Sequence, residues 1–218
     1  MSFYRQFIHH GELCFDIGAN RGHWSEVFLS LGASVIAVEP QSTCFEALFR
    51  KFKNNSSIRI LQYGVGSKEE VKELRVADNL INSTFSDEFI EKYKHNQYTQ
   101  WTSKENVQVT TLDKLISQYG VPRFCKIDVE GFELNVFKGL SQPIHFIQFE
   151  YVPPFRAQVI ECLDLLSKLG NPIFNYYSYE NMKLELKQWV NVEAIKKIVL
   201  GFPEDFLVAD ILVNYTAV

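Results

Sequence analysis

Four carboxylates, each following a short apolar run, are the residues of this chain best placed to do chemistry together. They are Asp16 after Leu13-Cys14-Phe15, Glu39 after Val35-Ile36-Ala37-Val38, Asp128 after Cys125-Lys126-Ile127, and Glu150 after Ile147-Gln148-Phe149. A buried strand that ends in an acid presents it at its carboxyl end, and in open α/β sheets ligands sit outside those ends. Acids gathered in one crevice raise one another's pKa unless a cation lies among them. The four are therefore expected to converge on one positively charged ligand.

The turn after Asp16 narrows the choice. Gly18-Ala19-Asn20-Arg21-Gly22 has the pattern G-x-N-x-G, small enough for backbone amides to come close to a ligand. It lacks the G-x-G-x-x-G spacing of a dinucleotide site, and Asp16 would repel a pyrophosphate. S-adenosylmethionine (SAM) carries an ammonium and a sulfonium and no phosphate, so SAM is the expected cofactor. Glu39 lies 21 residues beyond Gly18, close to the roughly 20-residue offset at which an acid accepts hydrogen bonds from a ribose diol. Asp16, Gly18, Asn20, Gly22, Glu39 and Pro40 form the expected cofactor set. Asp128 joins them if the strand that carries it lies beside the first.

An acceptor that has to lose a proton in such a site needs a general base within hydrogen-bond reach. The candidates, in order, are Asp128, Glu150 and His23; the first two end strands over the crevice and the third opens the first helix. Glu130 suits two roles equally, a site residue or a cap for the helix that follows. Trp24, Tyr98, Trp101, Tyr151, Phe155, Tyr176 and Tyr177 are candidate stacking surfaces, with Tyr98 and Trp101 favoured because they sit in a polar segment. No spacing demands a metal, although Asp128 with Glu150 could hold a hard cation. The four cysteines, Cys14, Cys44, Cys125 and Cys162, have no C-x-x-C spacing and read as free, buried thiols.

The elements that must position these residues follow from alternating β-rich runs and helical periods, which give a layered α/β fold. Strands are expected over residues 13–17, 34–38, 58–63, 107–110, 124–128, 143–150, 173–177 and 206–213. Helices are expected over residues 23–31, 43–53, 112–119, 132–140, 158–169 and 192–200. Residues 64–106 break the rhythm. Apart from an edge-strand alternation over 71–76, they read as an irregular excursion over the sheet edge, the expected lid or substrate-binding region.

The 218 residues make one domain. A formal charge of −4 gives no footprint for nucleic acid or an anionic membrane. No apolar run reaches the roughly 20 residues of a membrane span, and residues 1–10 lack a signal-peptide layout, so a cytoplasmic location is expected. Oligomeric state leaves no sign in the sequence.

Phe15-Asp16-Ile17-Gly18-Ala19-Asn20-Arg21-Gly22, Ala37-Val38-Glu39-Pro40, Thr111-Leu112-Asp113 and Lys126-Ile127-Asp128-Val129-Glu130-Gly131-Phe132-Glu133, followed by Lys138-Gly139, together resemble the FkbM-type SAM-dependent methyltransferases. The resemblance spans most of residues 13–150. It implies a class I methyltransferase fold: a doubly wound, mostly parallel, seven-stranded sheet with a reversed strand near one edge. It also implies a hydroxyl acceptor on a sugar, a glycan or a natural product, and a cofactor pocket lined by Asp16, Gly18, Asn20, Glu39 and Asp128. Val65 falls where the family places residues near the adenine. The chain departs from the pattern at Gln41, where an Asn is usual, and at Tyr151, where a His is frequent. Two other functions fit parts of the pattern: a binding module that keeps the fold without catalysis, and an NAD-dependent oxidoreductase.

Overall fold

A computed structural model describes residues 3–178, 182–203 and 209–216. Ten strands run in chain order: β1 (Leu13–Ile17), β2 (Ser34–Val38), β3 (Ile58–Leu61), β4 (Gly64–Val65), β5 (Glu70–Ala77), β6 (Trp101–Thr110), β7 (Phe124–Ile127), β8 (Phe146–Tyr151), β9 (Ile173–Ser178) and β10 (Ala209–Asn214). Between them lie α1 (His23–Ser30), α2 (Ser42–Phe52), α3 (Asp87–Tyr93), α4 (Leu112–Tyr119), α5 (Glu133–Lys138), α6 (Arg156–Lys168) and α7 (Val192–Leu200).

Seven strands form one sheet in the order β3-β2-β1-β7-β8-β10-β9. All pairs are parallel except those of β10, which runs antiparallel to both β8 and β9. The order reverses direction between β1 and β7, and that reversal opens the crevice in which a doubly wound sheet binds its ligand. The central strands are buried on both sides because helices cover both faces, and most of their residues are apolar. Phe15, Ile17, Ile127 and Phe149 pack under α4, α5, α6 and α7. Cys14, Val35, Ala37 and Phe124 pack under α1, α2 and the N-terminal residues Tyr4 and Phe7.

Three helices, α3, α4 and α7, start where a side chain satisfies a free amide. The Thr111 hydroxyl accepts from Lys114 N, Ser86 from Phe89 N and the Asn191 carboxamide from Ala194 N, each substituting for a missing intrahelical partner. The four cysteines are free and buried.

Residues 64–106 depart from the expected irregular excursion. They hold β4, β5, α3 and most of β6, and build a second, three-stranded sheet in the order β4-β6-β5. The strand expected at 107–110 is only the end of the ten-residue β6 and belongs to this second sheet. The reason is visible in its burial: most of residues 101–106 face solvent, so the segment has polar positions on both sides and no period-two hydrophobic signal, while β5 supplies its backbone hydrogen bonds. Leu74, Val76, Phe85, Val107, Val109 and Phe132 give the second sheet a core of its own. The start of the last strand, at 206–208, falls outside the described residues.

Candidate functional site

The β1–α1 turn is built around Gly18 and Gly22, both with φ +78°. A Cβ on Gly18 would stand 1.7 Å from the Asp128 carbonyl oxygen, so the turn can lie against the end of β7 only without a side chain there. Asp128 N donates to Ile17 O at 2.9 Å, which fixes the neighbouring strand end in the same place. Gly22 has a structural reason of its own, since a side chain there would run into Leu48 and Phe52.

The amides of this turn are engaged within the protein. Gly18 N and Ala19 N both donate to Val38 O, at 2.9 and 3.0 Å, and Asn20 N donates to Glu39 Oε2 at 2.7 Å. A pyrophosphate cradle needs such amides free. Their engagement, together with the surrounding carboxylates, fits a cofactor without phosphate.

A cavity of about 230 Å³ opens over this turn. Gly18, Asn20, His23, Glu39, Pro40, Val65 and Asp128, all named from the sequence, lie in its wall. The second sheet and the segment after β5 close it from above with Leu74, Leu80, Ser83 and Phe85, and Asn20 Nδ2 donates to Leu80 O at 3.0 Å. Thr84 ties the same segment down by donating from Oγ1 to Glu130 O at 2.7 Å. Residues 64–106 therefore form part of the cavity wall, through the second sheet and the segment between β5 and α3.

The expectation that four acids converge on one crevice needs correcting. Asp16, Gly22 and Glu150 do not line the cavity. Side chains alternate along a strand; Ile17 takes the cavity side while Asp16, fully buried, points beneath α1 and accepts from Ser25 Oγ at 2.5 Å. Its second oxygen has no hydrogen-bond partner among the described residues, and burial raises its pKa against the pull of Lys126. Glu39 is the buried acid in the cavity wall beside Asn20 and Pro40. Its two oxygens accept from Asn20 N and Gln41 N, yet burial lifts its pKa to about 7.

Asp128, Glu130 and Glu150 form the second acidic group, each offering an oxygen within 4.8 Å of the others. Among the described residues this is the one group with the convergence to hold a metal ion, and three carboxylates are a donor set for a hard divalent cation. Burial first, and then the neighbouring acids, raise Glu130 and Glu150 well above the usual carboxylate range. Glu130, at φ +52°, does not cap α5; that helix begins with Glu133, whose carboxylate accepts from Val129 N. Tyr93 of α3 faces the group, its hydroxyl raised by burial and then by Glu150 and Glu130.

Lys126 escaped the sequence reading, because a lysine inside an apolar run looks like a surface position. It is 1% exposed, 2.6 Å from Asp128 Oδ2 and 5.4 Å from the centre of the Trp24 ring. Burial alone would discharge it, but Asp128, Asp210 and Asp16 together hold it charged. Of the aromatic candidates, Trp24 lines the cavity, Tyr98 is 76% exposed, and Tyr151 and Tyr177 lie in the core.

A doubly wound sheet with one reversed strand, an acid-rich crevice at its switch point and a glycine turn whose amides are already engaged define a class I, SAM-dependent methyltransferase. The chain belongs to the FkbM family: the family model of the methyltransferase FkbM domain matches residues 16–184. No curated protein matches the chain in sequence. Solved structures with a similar shape include a TehB-like SAM-dependent methyltransferase from Corynebacterium glutamicum, 10% identical over 98% of this chain and 85% of that chain with a TM-score of 0.47. A SAM-dependent O-methyltransferase from Thermotoga maritima is 11% identical over 98% of this chain and 63% of that chain, with a TM-score of 0.46. Aeropyrum pernix fibrillarin bound to SAM is 12% identical over 95% of this chain and 68% of that chain, with a TM-score of 0.45. These likenesses concern shape; the family rests on the family model.

Proposed function

We propose that this protein is an O-methyltransferase that methylates a hydroxyl on a small molecule or glycan. The observation that carries the reading is the carboxylate group of Asp128, Glu130 and Glu150 beside the cavity. An amine acceptor arrives as its own base when neutral, whereas a hydroxyl has to hand its proton to the protein. The net charge of −4 supports an uncharged or cationic acceptor over a nucleic acid.

Glu39 and the backbone around Asn20 and Pro40 would hold the nucleoside of the cofactor, Val65 would flank its base, and Asp128 would face its cationic end. When bound, SAM supplies an electrophilic methyl group on a sulfonium. The protein's part is to hold the acceptor oxygen in line and take its proton, and orientation of that kind supplies much of the acceleration.

The division of labour among the acids follows from their partners. Asp128 is tied to Lys126 and serves to orient. Glu130 and Glu150 form no salt bridge among the described residues and are protonated more readily than an ordinary carboxylate. A positive charge brought beside them favours their ionised forms, so the base becomes available when the methyl donor is in place. Glu150, with Glu130, is the proton acceptor, and His23 at the exposed rim stands in reserve.

The test is incubation with SAM and a panel of sugars, glycosides and phenols, with release of S-adenosylhomocysteine (SAH) and product mass as readouts. O-methylated product supports the reading. Turnover confined to amine or RNA acceptors, or SAH binding without turnover on any class, refutes it.

A further inference from the structure

Gln41 is 1% exposed and lies in the cavity wall, yet its Nε2 has no hydrogen-bond partner among the described residues. Buried side-chain donors are almost always satisfied, and an orphan among them asks for a partner outside the chain. The other end of the carboxamide is anchored, with Oε1 accepting from the Cys44 thiol at 3.7 Å. The backbone N–H of the same residue donates to Glu39 Oε1 at 2.8 Å. Glu39 and Gln41 are thereby hydrogen-bonded to each other on the strand-to-helix turn between β2 and α2, an acceptor and a donor that both belong to the cavity wall.

We propose that Gln41 is a nucleoside-binding residue, its Nε2 donating to a hydroxyl oxygen of the ribose whose O–H groups Glu39 accepts. The inference rests on the SAM reading of the site. Its chemical content is complementarity: a vicinal diol has two donors and two acceptors, and a lone carboxylate can satisfy only the donors. The buried amide supplies the missing half, and it lowers the stability of the ligand-free protein until it is used. Substitution therefore has opposite effects on folding and on binding, which a merely structural glutamine would not show.

Calorimetric titration with SAH and with 5′-methylthioadenosine, on the wild type, Gln41→Met and Gln41→Glu, tests this. Gln41→Met keeps the length and removes the donor; Gln41→Glu keeps the shape and an acceptor. Both are expected to weaken SAH and 5′-methylthioadenosine by the same factor, about tenfold for one lost hydrogen bond to a buried group. The melting temperature of ligand-free Gln41→Met should rise by about 2–4 °C. Unchanged affinity in either variant, or weaker binding with a fall in melting temperature of Gln41→Met, overturns the proposal while leaving the cofactor assignment intact. A wild type that binds neither nucleoside overturns both.

Discussion

Glu39 serves two states of the protein that want opposite protonation. Burial lifts its pKa from the ordinary 4.5 to about 7, and Glu133 is lifted in the same way to about 7. Between those values the folded chain keeps protons that the unfolded chain has released, so the stability present in full below about pH 4.5 is lost as pH rises through about 7. Urea denaturation of the ligand-free protein should show falling stability from about pH 5 to about pH 8, and Glu39→Gln or Glu133→Gln should each flatten the curve. The proposed ribose contact has the reverse sign, because the O–H groups of a diol need the carboxylate as acceptor. SAH affinity should weaken as pH drops below about 7, with Glu39→Gln removing most of that dependence; a wild-type affinity flat from about pH 8 to about pH 6 would dismiss the role. At the other acidic group, Glu150→Gln should lower kcat by about 10²- to 10⁴-fold while SAH affinity stays within about twofold. Equal losses in kcat and in SAH affinity would make Glu150 a binding residue instead. The acids Asp16, Glu39, Asp128 and Glu150 were legible in sequence because each closes an apolar run. Which of them share a cavity was not, since the direction of each side chain depends on its register in the sheet.

The β1–α1 turn is the element on which the site depends. Gly18→Ala places a methyl 1.7 Å from the Asp128 carbonyl in a backbone with φ +78°, and neither fault can be relieved by a side-chain rotation. A loss of about 3 kcal/mol or more in folding stability is expected by chemical denaturation, and a variant of wild-type stability would show that β7 does not hold the turn. The helices and buried strands were readable to within a few residues: β1, β2, α4 and α7 match their sequence expectation end to end. Their periods are written in apolar residues that must face a core. Strand β6 was not readable over residues 101–106, because an exposed strand is specified by its partner's hydrogen bonds and leaves only polar residues behind. For the same reason α3, seven residues long, carried no usable period. It is held by Ser86 at its start and by Phe89 stacked on Phe155 at 5.6 Å.

Across the whole molecule, one polar array runs through the sheet on the α1 side. Lys126 stands among Asp16, Asp128 and Asp210, and Asp210 in turn accepts from Gln148 Nε2 at 2.8 Å and from the Tyr177 hydroxyl at 2.6 Å. Tyr177 also meets the hydroxyl of Tyr4, 3.2 Å away, so the N-terminal segment is bonded to the far edge of the sheet. Lys126→Met leaves buried acids without their cation and should cost about 3–5 kcal/mol by denaturation. The second change Asp128→Asn in that background should recover part of the loss, and no recovery would show that the Lys126–Asp128 pair is not the contact that matters. The order of apolar runs and the glycine turn pointed to the fold class and the kind of cofactor, and four motif blocks in order carried the resemblance to the family, because these depend on local periods and on residues at fixed offsets along one chain. The partnership of Lys126 with the distant Asp16 and Asp210, the turning of Asp16 away from the cavity, and the ordered sheet built by residues 64–106 were decided only by tertiary packing. Each brings together residues far apart in sequence, and a linear pattern holds no record of which strand lies beside which or of the face on which a side chain emerges.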